Sequence, residues 1–194
     1  MNRSYVIRVA HVIVLTMAVM FTWAQTGTGK DRIPMFRPSF SAAYLTGGEV
    51  TTKTFYFNSG YGVYTSFLSD RSRKLSGGFG CGFEQLRDEN FIPLFSEFKG
   101  KLSGNQGGGT LMLQAGYSLA SSKKYELYDG YSFQGGPMFS AGWGYYWSAG
   151  NGLLGISVLY RKQYATLTYH GIAGNSMNDK VSYTMLNFKT SFDF

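Results

Sequence analysis

The sequence predicts an all-β protein: an eight-stranded antiparallel up-and-down β-barrel that spans a membrane, preceded by a cleaved signal peptide. Three observations lead there. First, the final segment alternates strictly: Phe194, Phe192, Thr190, Phe188, Leu186 and Thr184 share one face, while Asp193, Ser191, Lys189, Asn187, Met185 and Tyr183 share the other. Strand side chains point alternately to opposite faces, so one face of this segment is aromatic and the other ionic. Second, hydrophobic residues make up 44% of the chain and charged residues 15%, well below the roughly 25% charged of ordinary soluble domains. Aromatic residues at 18% and 26 glycines complete a composition too apolar for disorder. Third, alternating segments follow one another along the whole chain, separated by turn-forming residues.

The elements can be taken in order. Residues 1–24 form a signal peptide: Arg3 and Arg8 give a positive start, Val9 to Phe21 an apolar run, and Thr22-Trp23-Ala24 a small-residue cleavage site before Gln25. Residues 25–37 are a polar lead, and residues 38–194 the barrel. Strand one runs from about Ser39 to Leu45, with Phe40, Ala42 and Tyr44 on one side. Strand two, about Thr54 to Leu68, groups Phe55, Phe57, Tyr61, Val63 and Phe67 against Asn58, Gly60, Gly62 and Ser66. Strand three, Leu75 to Gln85, sets Leu75, Phe79, Cys81 and Phe83 against Gly78, Gly80, Gly82 and Glu84. Strand four, Phe91 to Lys101, sets Ile92, Leu94 and Phe98 against Glu97 and Lys99. In strand five, Thr110 to Leu119, the leucines oppose Gln114, Gly116 and Ser118. Strand six, Met138 to Trp147, opposes Phe139, Trp143, Tyr145 and Trp147 to Ser140, Gly142 and Gly144. Strand seven, Leu154 to about Thr168, opposes Ile156, Val158 and Tyr160 to Ser157, Arg161 and Gln163, and the terminal strand is the eighth.

An even count brings both ends of the barrel to one side of the membrane. With the ends in the periplasm, Ser69 to Lys74, Leu102 to Gly109 and Ser148 to Leu153 become short periplasmic turns. Ala120 to Pro137 and Tyr169 to Lys180 become longer extracellular loops, the asymmetry that transmembrane barrels show. Unpaired backbone groups are not tolerated in hydrocarbon, so the sheet must close on itself. The apolar faces then meet lipid, and Glu84, Glu97, Lys99, Arg161, Lys189 and Asp193 form a lumenal charge network. Inward glycines leave room for these long ionic side chains. A soluble lipocalin-type barrel would place the apolar faces inside instead.

Several function classes are excluded. Net charge is +7, or +5 without the two signal-peptide arginines (16 basic minus 11 acidic). The cations are scattered and form no stripe for nucleic acid. Cys81 is the only cysteine, so no intrachain disulfide forms. No His/Cys cluster implies a metal, and no cofactor is expected. Gly78-Phe79-Gly80-Cys81-Gly82 has the look of a nucleotide loop, but no helix pattern follows, and its glycines share one strand face. Tyr169-His170 with Asn175-Ser176 loosely resembles the lipid A deacylases, also eight-stranded barrels, whose His-x-Ser motif supplies base and nucleophile. Here Gly171-Ile172 follows His170, Ser176 is six positions on, and Asp179 is the acid available to orient the imidazole. No catalytic residues are assigned.

The chain as a whole resembles the small outer-membrane barrels of the Bacteroidota, the broad PorT-like group. The likeness spans roughly residues 38 to 194 and is carried by Phe83 to Phe98 (FEQLRDENFIPLFSEF), Ala115-Gly116-Tyr117-Ser118 and the aromatic C-terminal segment. It implies that an acidic turn followed by Phe-Ile-Pro-Leu-Phe opens strand four. It implies architecture and location, not an activity. The expectation is an outer-membrane protein with a non-enzymatic structural or surface-binding role. Lys123, Lys124, Tyr125, Tyr128, Tyr131 and His170 are its candidate ligand-binding residues, for a carbohydrate or protein partner. Membrane lipid and lipopolysaccharide are the expected surroundings, and Phe194 the expected signal to the barrel-assembly machinery. A small-solute pore and a lipid A deacylase-like hydrolase are the alternatives.

Overall fold

The structure, a computed structural model, describes residues 36–50, 55–70, 74–87, 89–102, 107–122, 130–170 and 176–194. The signal peptide, nearly all of the lead, and Lys123, Lys124, Tyr125 and Tyr128 lie outside the described residues.

Eight antiparallel strands form in chain order: β1 (Arg37–Val50), β2 (Phe55–Asp70), β3 (Leu75–Leu86), β4 (Glu89–Lys101), β5 (Gly108–Ser122), β6 (Tyr131–Ala149), β7 (Gly152–His170) and β8 (Ser176–Asp193). Each pairs with its neighbours, and β1 also pairs with β8, which closes the barrel. The expected eight-stranded up-and-down barrel is therefore the fold. Closure leaves no sheet edge, the condition a lipid-embedded sheet must satisfy.

The faces divide as the alternation predicts. Val63, Leu94, Leu111, Leu113, Ile156 and Val158 are exposed on the outer wall. Glu84, Glu97 and Arg161 are each 0% exposed in the lumen, an arrangement that only a wall facing hydrocarbon rewards. At the end of the barrel that carries Arg37 and Asp193, aromatic rings cluster outside. Phe79 packs near Phe36 and Phe67 at centroid distances of 6.2 and 6.0 Å, and Phe194 lies 4.8 Å from Phe192 and 6.0 Å from Phe40. Tyr145 and Trp147 pair at 6.5 Å on β6. These rings make one interfacial girdle.

The long outer loops expected from Ala120 to Pro137 and from Tyr169 to Lys180 are not loops for most of their length. β5 continues to Ser122, β6 begins at Tyr131, and β8 begins at Ser176. The gaps between strands are thus of similar size at both ends, and loop length does not orient this barrel. Pro137 and the adjacent glycines look like a strand break in the sequence. The ladder instead runs through them as a bulge between Gly135 and Met138, because a bulge accommodates a residue lacking its N–H. Strand height carries the asymmetry. β6 and β7 have 19 residues each and β8 has 18, against 12 in β3 and 13 in β4. About 9–11 tilted residues suffice to cross a bilayer, so the β6–β8 side stands well clear of the membrane and the β3–β4 side barely does.

Pro93 also sits deeper than expected, the fifth residue of β4 and not its opening. The β3–β4 pairing lapses there, between Cys81↔Leu94 and Glu84↔Phe91. The Gly78–Gly82 motif lies wholly within β3, so its glycines line a wall.

Candidate functional site: a filled lumen and a tall rim

The lumen is built in three levels. Nearest the chain ends, Lys99 Nζ lies 2.8 Å from Asp193 Oδ2, and Ser39 donates to the same carboxylate at 2.6 Å. Arg37 pairs with Asp70 at 2.6 Å, and Tyr146 packs with Met112, Leu153 and Leu159 beneath the Lys99 ammonium. The register explains why these meet: β1 runs between β8 and β2, so Ser39 faces Asp193 and Ser66.

The middle level is ionic. Glu97 accepts from Ser66 at 2.9 Å, from Gln114 at 3.1 Å and from Lys189 at 3.5 Å. Glu84 accepts from Tyr64 at 2.7 Å and forms an ion pair with Arg161. Arg161 Nη2 also reaches Met138 Sδ at 3.2 Å. The structure brings all six of the lumenal charges into three pairs: Asp193–Lys99, Glu97–Lys189 and Glu84–Arg161. Such buried charges are tolerable only when paired and hydrogen-bonded.

The third level, at the end far from Arg37 and Asp193, is apolar. Leu45, Leu86, Phe91, Ala165, Val181, Tyr183 and Met185 pack together, with Phe133 and Leu167 against them. Phe91 and Tyr183 meet edge to face at 5.4 Å. Sequence reasoning described the interior as small and ionic and passed over this plug. The signal was present as parity, since Tyr183 and Met185 share the face of Lys189.

Two inward glycines make room for buried tyrosines, and Gly62 for the Glu84 side chain as well. A Cβ on Gly62 would lie 2.5 Å from the Tyr64 hydroxyl, and one on Gly155 would lie 2.4 Å from the Tyr146 ring. Those tyrosines in turn cap the ionic groups. Tyr64 and Tyr146 were not singled out by sequence reasoning.

At the tall rim, Tyr131 and Tyr169 are partners across β6 and β7, with ring centroids 4.8 Å apart. Met177, 65% exposed, is the next partner along the same row on β8. Of the expected ligand-binding residues, Tyr131 lies in this row; Tyr169 and Met177 are not among them. His170 ends β7, and the ladder pairs it with Ser176. Asp179 pairs with Leu167, three positions along β8 from Ser176, and so takes the opposite strand face.

No protein-family model matches the chain, and no curated protein matches it. Among solved structures, the outer membrane protein OprG from Pseudomonas aeruginosa is similar at a TM-score of 0.46 and 10% identity, over 82% of this chain and 94% of that one. KdgM porin is similar at 0.32 and 10% identity, over 80% of this chain and 98% of that one. A complex of KdgM porin with disordered oligogalacturonate gives the same values. The assignment as a barrel rests on the closed strand ladder of this chain and not on these likenesses.

Proposed function

We propose that the chain is a non-conducting, non-enzymatic outer-membrane barrel of the PorT-like kind, which holds a rigid surface-binding rim above the membrane. The observation that carries this reading is the pairing of an apolar outer wall with a filled lumen. Three ion pairs and an apolar plug occupy the space a solute would need. The β5–β6 and β7–β8 hairpins supply the rim, presenting Tyr131, Tyr169 and Met177. A hydrolase would need His170, a nucleophile and an orienting acid on one face, and Asp179 lies on the other face from Ser176.

The test has two parts. The full-length protein should partition with the outer membrane and show no steady conductance in planar bilayers. Steady single-channel current would replace this reading with a small-solute pore. Deleting residues 123–129 and 171–175 should spare insertion and abolish any surface-binding phenotype, and binding retained after both deletions would move the site elsewhere.

A further inference from the structure

We propose that the outer face of the β7–β8 seam binds a phosphorylated glycolipid of the surrounding leaflet, with Lys162 and Lys180 holding its phosphates. This rests on the membrane reading above and goes further, naming a lipid and its contacts.

Among the described residues, Lys162 and Lys180 are the charges that strands carry at outward parity. Lys162 shares its face with Tyr160 and Tyr164, which are 53% and 37% exposed. Lys180 is exposed and shares its face with Leu186 and Phe188. Every other strand charge occupies a position of inward parity, where acids and bases meet across the lumen. Both exceptions are cations, both lie on one pair of adjacent strands, and no outward-facing strand acid lies between them.

Their placement is ordered by the ladder. Lys162 is opposite Thr184, Tyr164 is opposite Ser182, and Thr166 is opposite Lys180. Two ammonium groups therefore flank a row of hydroxyls and one aromatic ring. The four-residue offset separates them by about 13 Å along the strands. The Lys162 ammonium rests over the Tyr164 ring, 5.5 Å from its centroid. Towards the chain ends the same face continues as Tyr160, Val158 and Ile156, so the cations stand at the upper edge of the apolar belt. An outward ammonium at that depth meets lipid headgroups, and attraction to anionic lipid is what stabilises it.

The spacing selects the class of lipid. A headgroup with one phosphodiester answers one lysine and leaves the other unpaired. A disaccharide headgroup with a phosphate at each end answers both, offers its hydroxyls to Thr166, Ser182 and Thr184, and lays a sugar face on Tyr164. The wall below receives the acyl chains.

The experiment is native mass spectrometry of the full barrel in detergent micelles. Wild type and the Lys162→Ala/Lys180→Ala variant are offered lipid A with both phosphates, dephosphorylated lipid A, or phosphatidylglycerol. Wild type should retain the bis-phosphorylated lipid. The double variant should retain it about thirtyfold more weakly, as two lysines at a membrane surface imply. Lys101→Ala, at inward parity near the chain ends, should match wild type. Equal retention by the double variant overturns the site, as does equal retention of dephosphorylated lipid A. Equal retention of phosphatidylglycerol overturns the choice of a glycolipid. A chain that stays monomeric and folded without detergent overturns the membrane reading itself, whereas one that needs detergent yet ignores all three lipids overturns the site alone.

Discussion

Arg161 is 0% exposed at the centre of the barrel and shares its guanidinium among Glu84, Met138 and Gln163. Its removal strands Glu84, also 0% exposed, with the Tyr64 hydroxyl as its remaining partner. Arg161→Ala should therefore destabilise the barrel by about 3–5 kcal/mol, the cost of leaving a buried charge uncompensated. The double change Arg161→Met/Glu84→Gln should recover most of that loss, since apolar or neutral replacements of a whole buried pair are often close to neutral. Urea unfolding of detergent-refolded protein measures both, and a single variant as stable as wild type would show that the pair contributes nothing. Gly155 makes a second residue-scale case. A methyl there has the Tyr146 ring as its nearest neighbour, at 2.4 Å, so Gly155→Ala should cost about 1–3 kcal/mol by overpacking. Tyr146→Leu in the same chain should relieve that cost, whereas backbone strain would persist. The outward or inward placement of each of these residues was legible from parity. Its partner was not, because Arg161 and Glu84 are 77 residues apart in the chain.

At the scale of the element, β6 shows how a strand survives a proline. The register shifts between Gly135 and Met138, and the Gln163 side chain spans the defect. Its amide donates to the carbonyls of Gly136 at 3.2 Å and Tyr164 at 2.7 Å, and accepts from Ser118 at 2.7 Å. On the outside, the Tyr117 hydroxyl donates to the Gly135 carbonyl at 2.9 Å. Wall carbonyls without water must find such donors. Gln163→Leu should thus speed hydrogen exchange across residues 134–138 and cost about 1–3 kcal/mol, the penalty for unsatisfied buried groups. Unchanged exchange there would mean that the ladder closes without it. Local reading placed a loop over this stretch because glycine and proline punctuate loops far more often than strands. What holds it in the sheet lies on neighbouring strands, in its β5 ladder partners Tyr117 and Ser118 and the Gln163 amide of β7, which no local window contains.

At the scale of the molecule, the question is which medium the outer wall faces. Leu113 is 58% exposed at mid-wall, and Thr168 stands at outward parity on the rim, between Ser132 and Asn178. If the wall meets hydrocarbon, Leu113→Arg should cost about 2–4 kcal/mol in folding into lipid vesicles, and Thr168→Arg about 0–1 kcal/mol. Equal costs would remove the membrane from the account. The unequal heights of the β3–β4 and β6–β8 sides belong to this scale too. Alternation of apolar residues ends where the lipid ends, so it marks the part of each strand inside the bilayer. Above that level the strands continue because their neighbours offer backbone partners, which leaves no apolar pattern to read.

The amino-acid order alone determined the strand count, the antiparallel ring and which side chains face out, because a period of two and the demand for paired backbone in lipid are local properties. It also determined that six charges turn inward. The tertiary structure decided which of them pair, that an apolar plug fills the far end of the lumen, and that two lysines stand together on the outer β7–β8 seam. Those depend on register between strands, and register is settled by closing the ring, which every strand shares and no single one encodes.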